Sequence, residues 1–488
     1  MLLTFPAFLK NIPCKILMGS DLEKVNPQNV PLIFSLNKLF EHNQIRESSV
    51  CAILPSVLLL KNDTFYSNFA AGKNACEGLL LFMKKNLNIV VFILALLNTL
   101  ESLSIDLYLP AFPSMAKIFN TDIGHIQVSI SVFFAGFAFG QLLWGPLSDK
   151  KGRKPMLYCG LLLFIIGTTA IYFTSDIYVL WAMRFLQAFG GSAGIVIGRA
   201  IIIDLYDKHK AVTIFSQQSQ ISGIAPIVAP LLGSVFLKFW GWNSSFAFLC
   251  IMGLITFFMV YKYVPETNTR IHLSDDEMLD EKGLKDQLKM IISNKDFINS
   301  TMVGSIAFAS LIIYISNAPF LFMEIHGFSS STFSFIFAFN SLALITAAYI
   351  TPKLIKRISN STLLFAATIV LLVVCTLHIL IAAENLSVAL EIAMLYLSLL
   401  AIGILFPITS AHALSPFKEG RGTAAALLGF MQLMVTFLIS GLIGFLEADS
   451  IIPMVGTRSA MALIAVWFGY RIFKTQKVTP SIVVQPGN

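Results

Sequence analysis

Twelve apolar stretches separated by short polar gaps dominate this chain from residue 87 onward. Their approximate limits are 87–109, 123–146, 156–174, 177–203, 210–237, 243–264, 297–322, 332–351, 361–383, 387–412, 422–445 and 452–472. A helix that crosses a bilayer needs about 20 predominantly apolar residues, so each stretch is of spanning length. Backbone polar groups in hydrocarbon must be satisfied within the segment, which makes these runs helices. Only 12% of the residues are charged, against about 25% in soluble proteins, so the surface is built to meet lipid. The expected fold is an all-α integral membrane protein of two six-helix bundles.

The charges test this count independently. Lys150, Lys151, Arg153, Lys154, Lys208, Lys210, Lys353, Lys356, Arg357, Lys418 and Arg421 fall in alternate gaps, while the opposite gaps hold little beyond Lys117 and Lys238. Cytoplasmic loops carry the excess of Lys and Arg, which places both termini in the cytoplasm. The net charge of +7 therefore sets orientation and does not imply a nucleic-acid partner. None of the six cysteines forms a C-x-x-C pair, and they read as packing residues rather than metal ligands.

Residues 1–82 differ from the rest. Their apolar run Val50–Leu60 is too short to span and contains Pro55. Met83-Lys84-Lys85-Asn86 leads directly into the first long apolar helix. The expectation is that Met83 is the native start and 1–82 an over-extended reading frame, with a genuine cytoplasmic extension as the alternative. The remaining divisions are a first bundle over 83–264, a cytoplasmic connector over 265–296, a second bundle over 297–474 and a tail over 475–488. The connector mixes Asp275, Asp276, Glu277, Asp280 and Glu281 with lysines and reads as a solvated linker with a surface helix. Six spans on each side of it suit two bundles that rock about a central site.

The gap after the second span reads Gly145-Pro146-Leu147-Ser148-Asp149-Lys150-Lys151-Gly152-Arg153-Lys154-Pro155. Its glycines permit close approach and unusual dihedrals. Asp149 can pair with Arg153 or face the positive N-terminus of another helix. The run resembles the signature G-x-L-[SA]-D-R-x-G-R-[RK] of the major facilitator superfamily, with Lys150 in place of arginine. The eleventh span opens Gly422-Thr423, whose free N–H groups offer Asp149 a contact that latches the two bundles on the inner side in the outward-open state.

Two carboxyl groups lie in the first span, Glu101 and Asp106. An acid in an apolar helix is costly unless paired, hydrated or protonated, and low dielectric favours its neutral form. Five residues apart is about 140° around a helix, so the two do not share a face. Either couples protons to transport; the alternatives are a cap at the helix exit for Asp106 and an interhelical hydrogen bond for Glu101. The run Leu103-Ser104-Ile105-Asp106-Leu107-Tyr108-Leu109-Pro110 resembles the first-helix signature of the Bcr/CflA drug/proton antiporters. In the fourth span, Arg184-Phe185-Leu186-Gln187 is similar to the superfamily's R-x-x-Q; Arg184 requires an acidic partner or water, and is expected to join in proton coupling because its fixed charge eases proton release from a nearby carboxyl group. Arg199 reads as a cation snorkelling to the interface. In the fifth span, Pro226, Pro230 and Gly233 resemble the A-P-x-L-A-P-x-x-G run of the same family, and proline pairs bend a helix.

The resemblance implies the major facilitator fold. It further implies a proton-coupled antiporter that exports small amphipathic drugs or toxic compounds across the bacterial inner membrane by alternating access. The proton gradient is the energy source, with no cofactor and no metal. The expected partners are the lipid bilayer, a small-molecule drug and protons, with the protein acting as a monomer. A proton-coupled uptake carrier for a small metabolite is the alternative. An enzyme is not expected: the seven histidines are scattered and no H-E-x-x-H occurs.

Overall fold

A computed structural model describes residues 72–268, 281–383, 387–417, 421–445 and 451–478. Every regular element among them is helical. The first half comprises α1 (Gly72–Asp106), a 3-10 turn (Leu109–Ala111), α2 (Phe112–Ile118), α3 (Ile123–Lys151), α4 (Arg153–Phe173), α5 (Ile177–Leu205), α6 (Lys208–Trp240) and α7 (Asn243–Tyr263). After α8 (Glu281–Ser293) come α9 (Lys295–Pro319), a π-helical turn (Phe320–Ile325), α10 (Ser330–Ile355), α11 (Asn360–Ala383), α12 (Val388–Leu414), α13 (Arg421–Phe445) and α14 (Ile452–Val478). The chain divides into two units between Lys85 and Asn86. The expected extension over 1–82 falls mostly on residues 1–71, outside the described residues, and α1 runs through Met83.

Each of the twelve expected spans coincides with one long helix to within a few residues, the first running on into the 3-10 turn and the seventh into the π-helical turn. Among the described residues, eleven helical stretches are long and apolar enough to cross a membrane; α6 contributes a shorter described apolar stretch, Ile224–Trp240. Local sequence sets the ends. Asp176 caps α5 by accepting from the N–H groups of Tyr178 (2.8 Å) and Val179 (3.0 Å). Asp207 does the same for α6 through Lys210 (2.7 Å), and Asn294 for α9 through Phe297 (2.9 Å). These side chains satisfy donors that the first helical turn leaves open. Gly152 joins α3 to α4 at φ 101°, a conformation that side chains with a Cβ rarely adopt.

Within the first half α5 packs against α3 and α4, and α7 against α4; within the second, α9 packs against α12, α13 and α14, and α11 against α12 and α14. The halves meet chiefly along two pairs, α3 with α13 and α6 with α10. α8 packs against α9 and α13.

The α3–α13 seam is antiparallel and in steady register. Gly124 lies against the carbonyl of Gly444, Ser131 Oγ is 2.7 Å from Ser440 Oγ, Phe139 meets Phe430 edge to face, and the Gln141 side chain sits over Gly429. Beyond Gln141 the pattern stops. A Cβ added at Gly145 would reach only Val196 of its own half, and one at Gly422 nothing within 4 Å. The halves are thus joined at the end holding Gly124 and Gly444, and part toward the end holding the basic gaps.

Candidate functional site

Asp106 is the last residue of α1 and is buried, 3% exposed. Among the described residues its Oδ1 has no hydrogen-bond partner. The chain turns immediately afterward through Leu109–Ala111, and several elements converge on that corner. Gly233 of α6 sits against the Leu107 carbonyl, leaving no room for a side chain. Ser245 of α7 donates to the same carbonyl at 3.4 Å. From the second half, α9 and α10 pack on the turn. Pro230, one turn before Gly233, offers its carbonyl to Ser334 Oγ of α10 at 2.8 Å. The proline pair of α6 therefore lies where the halves join, and α6 continues through both Pro226 and Pro230.

Next to Asp106, Tyr108 points back into the first half. Arg184 Nη2 donates to the Tyr108 hydroxyl (3.3 Å), which contacts Ser129 Oγ (2.9 Å), and Ser129 donates on to the Ile126 carbonyl. Arg184 Nη1 donates to Gln187 Oε1 (2.6 Å), and Gln187 Nε2 to Thr168 Oγ1 (2.8 Å). The guanidinium lies 4.6 Å from the Tyr108 ring centroid and 4.4 Å from that of Phe133. Arg184 is fully buried, and among the described residues its Nε has no partner. The sequence led us to expect an acidic partner or water. Among the described residues its direct partners are instead a phenol, an amide and two ring faces, interactions that hold a buried cation without a counter-ion.

Glu101 is half-buried on α1 and lies within electrostatic reach of Arg199 on α5. Arg199, read from the sequence as snorkelling to the interface, thus shares its environment with Glu101. Glu101 and Asp106 remain separate sites, the first within electrostatic reach of Arg199 on α5 and the second beside the turn on which α9 and α10 pack.

The turn between α3 and α4 is clamped from three sides. Arg153 Nη1 pairs with Asp149 (2.6 Å), its Nε with Asp204 at the end of α5 (3.3 Å), and Nη1 also donates to Ser148 Oγ (2.8 Å). The Glu266 carboxylate accepts from the backbone N–H groups of Arg153 (2.9 Å) and Lys154 (3.0 Å), capping α4 from 112 residues away. Asn268 Nδ2 donates to the carbonyls of Ser148 (3.2 Å) and Asp149 (2.7 Å). Thr267 Oγ1 donates to Asp204 (3.0 Å). Of the two partners expected for Asp149, the structure pairs it with Arg153. It does not bring Asp149 to Gly422; the neighbouring Thr423 instead reaches Gln287 of α8 at 3.5 Å.

Sequence reasoning missed a second buried arginine. Arg458 of α14 is 1% exposed and donates from Nε to Ser310 Oγ (3.0 Å) and from Nη2 to Ser398 Oγ (2.7 Å). It also missed the Glu266–Asn268 clamp and a pair at the joined end, His326 Nε2 to Glu391 Oε2 at 2.7 Å. A basic residue inside the twelfth apolar stretch was the available signal for Arg458; the clamp residues carry none.

Comparison with known proteins places this architecture. The Major Facilitator Superfamily profile matches residues 94–445. An uncharacterized MFS-type transporter, YdgK of Bacillus subtilis (strain 168), is 30% identical over 75% of this chain and 90% of its own length. A bicyclomycin resistance protein homolog of Haemophilus influenzae is 26% identical over 78% of this chain and 96% of its own. The multidrug resistance protein MdtL of Shewanella oneidensis is 26% identical over 74% and 90%. Among solved structures, a D-xylose-proton symporter superposes with a TM-score of 0.67 at 15% identity, covering 79% of this chain and 98% of that one. A bacterial homolog of the lysosomal transporter Spinster, inward-facing and occupied, gives a TM-score of 0.61 at 15% identity, with 79% and 96% covered. The turn signature, the helical architecture and these likenesses agree: the chain belongs to the major facilitator superfamily and is a membrane transporter rather than an enzyme.

Proposed function

We propose that this transporter is a proton-coupled antiporter that exports small amphipathic drugs or toxic compounds across the bacterial inner membrane. It works as a monomer with both termini in the cytoplasm, and the proton gradient rather than a cofactor drives it. The observation that carries the reading is Asp106, buried where the halves meet with a carboxyl oxygen that no described residue satisfies. Two relatives named for bicyclomycin and multidrug resistance support the substrate class.

The coupling follows from the cost of burying charge. With the Gly124–Gly444 end packed, a charged Asp106 lacks a donor at Oδ1, and an unpaired buried charge is strongly unfavourable. The packed arrangement, open toward the basic end, therefore goes with the neutral acid. Loss of the proton favours parting the halves at the Asp106 end, which hydrates the carboxylate. Drug binding from the cytoplasm and proton release then push the same way, and proton uptake from outside returns the carrier. Glu101, opposed by Arg199, is the second candidate for coupling or for attracting a cationic drug.

When the Asp106 end opens, the basic ends must approach. Extending the α3–α13 register past Gln141 and Gly429 sets Asp149 opposite Arg421 and Gly422, so the latch expected from the sequence forms in that state. Asp149→Cys with Gly422→Cys should cross-link when the Asp106 end is open and resist cross-linking when it is packed. Equal efficiency in both states counts against the latch.

The decisive assay uses inverted vesicles with an acidic interior. Wild type should concentrate a drug such as chloramphenicol, Asp106→Asn should lose at least 10-fold of the gradient-driven rate, and Glu101→Gln should retain more. Full activity in both variants overturns the reading, as does accumulation only when the gradient is reversed.

A further inference from the structure

Where the α3–α13 seam ends, two carboxamides stand together, one from each half. Gln141 of α3 lies over Gly429 of α13, where a Cβ would come 2.7 Å from its Oε1. Gln432 of α13 lies over Gly304 of α9, where a Cβ would come 2.8 Å from its Nε2. Gly429 and Gln432 are three residues apart and share a face of α13, so the two amides are anchored about 5 Å apart along that helix. Both turn toward α9. Gln141 shares its face of α3 with Phe134, two turns earlier, and the Phe134 ring meets Phe308 of α9 edge to face at 5.7 Å, one turn from Gly304. Phe308 in turn lies 5.9 Å from Phe406 of α12. Gln141, Gln432, Phe308 and Phe406 are all partly exposed. Among the described residues neither carboxamide is engaged in a hydrogen bond.

We infer that Gln141 and Gln432 form the polar end of the site that holds the exported compound, taking an uncharged group that both donates and accepts hydrogen bonds, while Phe308 and Phe406 take its aromatic body. A carboxamide offers two N–H donors and a carbonyl acceptor without a charge. Two of them side by side match a hydroxyl or an amide.

Polar side chains that serve packing in this protein are treated differently. Gln187 is fully buried and bonded on both sides, to Arg184 and Thr168. At the joined end of the seam, Ser131 and Ser440 are buried and satisfy each other. Gln141 and Gln432 are neither sealed nor bonded, yet each has a glycine opposite that leaves room for its head. Their place in the fold gives the reason. The halves are joined on one side of this pair and parted on the other, so a compound entering from the basic end meets both amides at the fork. Bonded to one group from each half, it holds more tightly in one arrangement of the halves than in the other, which is what lets a ligand shift the balance between them. The inference rests on reading the ligand as a small amphipathic compound, and it names the chemistry that the polar end of that compound must have.

The test is equilibrium binding of two radiolabelled probes to purified full-length carrier in lipid, with no gradient. Chloramphenicol carries an aromatic ring with uncharged hydroxyl and amide groups; tetraphenylphosphonium carries rings and a charge but no hydrogen-bonding group. Gln141→Met and Gln432→Met keep the length of the side chain and remove the amide. Each should weaken chloramphenicol binding about fivefold, the effect of one neutral hydrogen bond, and leave tetraphenylphosphonium within about twofold. Both variants should keep the wild-type melting transition, since neither amide is bonded within the protein. Unchanged chloramphenicol affinity in both variants overturns the inference, as does a loss that falls equally on both probes or comes with a lowered melting transition. No saturable chloramphenicol binding by the wild type overturns it as well. The export reading is judged separately by Asp106→Asn in vesicles: loss of export there with unaltered binding in the glutamine variants removes this site alone, and selective loss of binding with full export by Asp106→Asn removes the antiport reading alone.

Discussion

The two halves of this carrier have matching helix counts but are assembled by different contacts. In the first half, helices approach backbone to backbone. Gly136 of α3 lies against the carbonyl of Phe185 on α5, and Gly160 of α4 and Gly190 of α5 lie each against the other's carbonyl. In the second half, the corresponding close approaches end on side chains. Gly304 faces Gln432 and Thr409, and Gly469 faces Thr368 and Leu364. Backbone contacts leave nothing to rotate away, whereas a threonine or glutamine can change rotamer. The first half thus holds approaches that no rotamer change can relieve, and it carries both acids and the clamped turn. Each half also buries one arginine without an ion pair among the described residues. Arg184 lies between two aromatic faces and Arg458 between two serines.

The largest difference should come from filling these contacts. Gly136→Val places a Cβ on a carbonyl that cannot yield, and overpacking of this kind costs about 1–3 kcal/mol or more. The yield of monodisperse protein should fall several-fold and the melting temperature by several degrees. Gly469→Ala should cost well under half of that, because Thr368 can turn aside. Equal losses in the two variants would erase the distinction between the halves. A smaller contrast is expected for the arginines. Arg184→Met strips the donor from buried Gln187 Oε1, and an unsatisfied buried polar atom costs about 1–3 kcal/mol. Arg458→Met leaves Ser398 bonded to the Leu395 carbonyl and removes a buried charge that has no counter-ion, a change that is often neutral or stabilising. Melting curves in detergent should therefore rank Arg458→Met above Arg184→Met, and the reverse order would show that the serine cradle is the stronger of the two.

The sequence revealed what is written locally. Spans follow from runs of apolar residues, the clamped turn from glycines and cations packed into eleven positions, and Asp106, Glu101 and Arg184 from polar groups standing in apolar surroundings. The conformation was not legible, because it depends on which ends of α3 and α13 touch, and Gly422 reads the same open or closed. The partners of Arg458 were also hidden. Ser310 and Ser398 are ordinary serines, and only the packing of α9, α12 and α14 brings them to one guanidinium. Glu266 illustrates the same limit: a single acid after Pro265 gives no hint that it caps a helix 112 residues upstream.

The register between α3 and α13 also fixes how such a molecule can move. Two rods interlocked along most of their length, with Gly124 on Gly444, Ser131 on Ser440, Phe139 on Phe430 and Gln141 on Gly429, cannot slide without breaking every step of the match. Rotation about the interlocked stretch is the freedom left. The unengaged arm from Leu142 to Lys151 is about 15 Å long at 1.5 Å per residue, so a swing of about 20° carries its tip through about 5 Å. A seam that closes on glycine and serine pairs at one end thereby turns a small rotation into the opening of a door at the other.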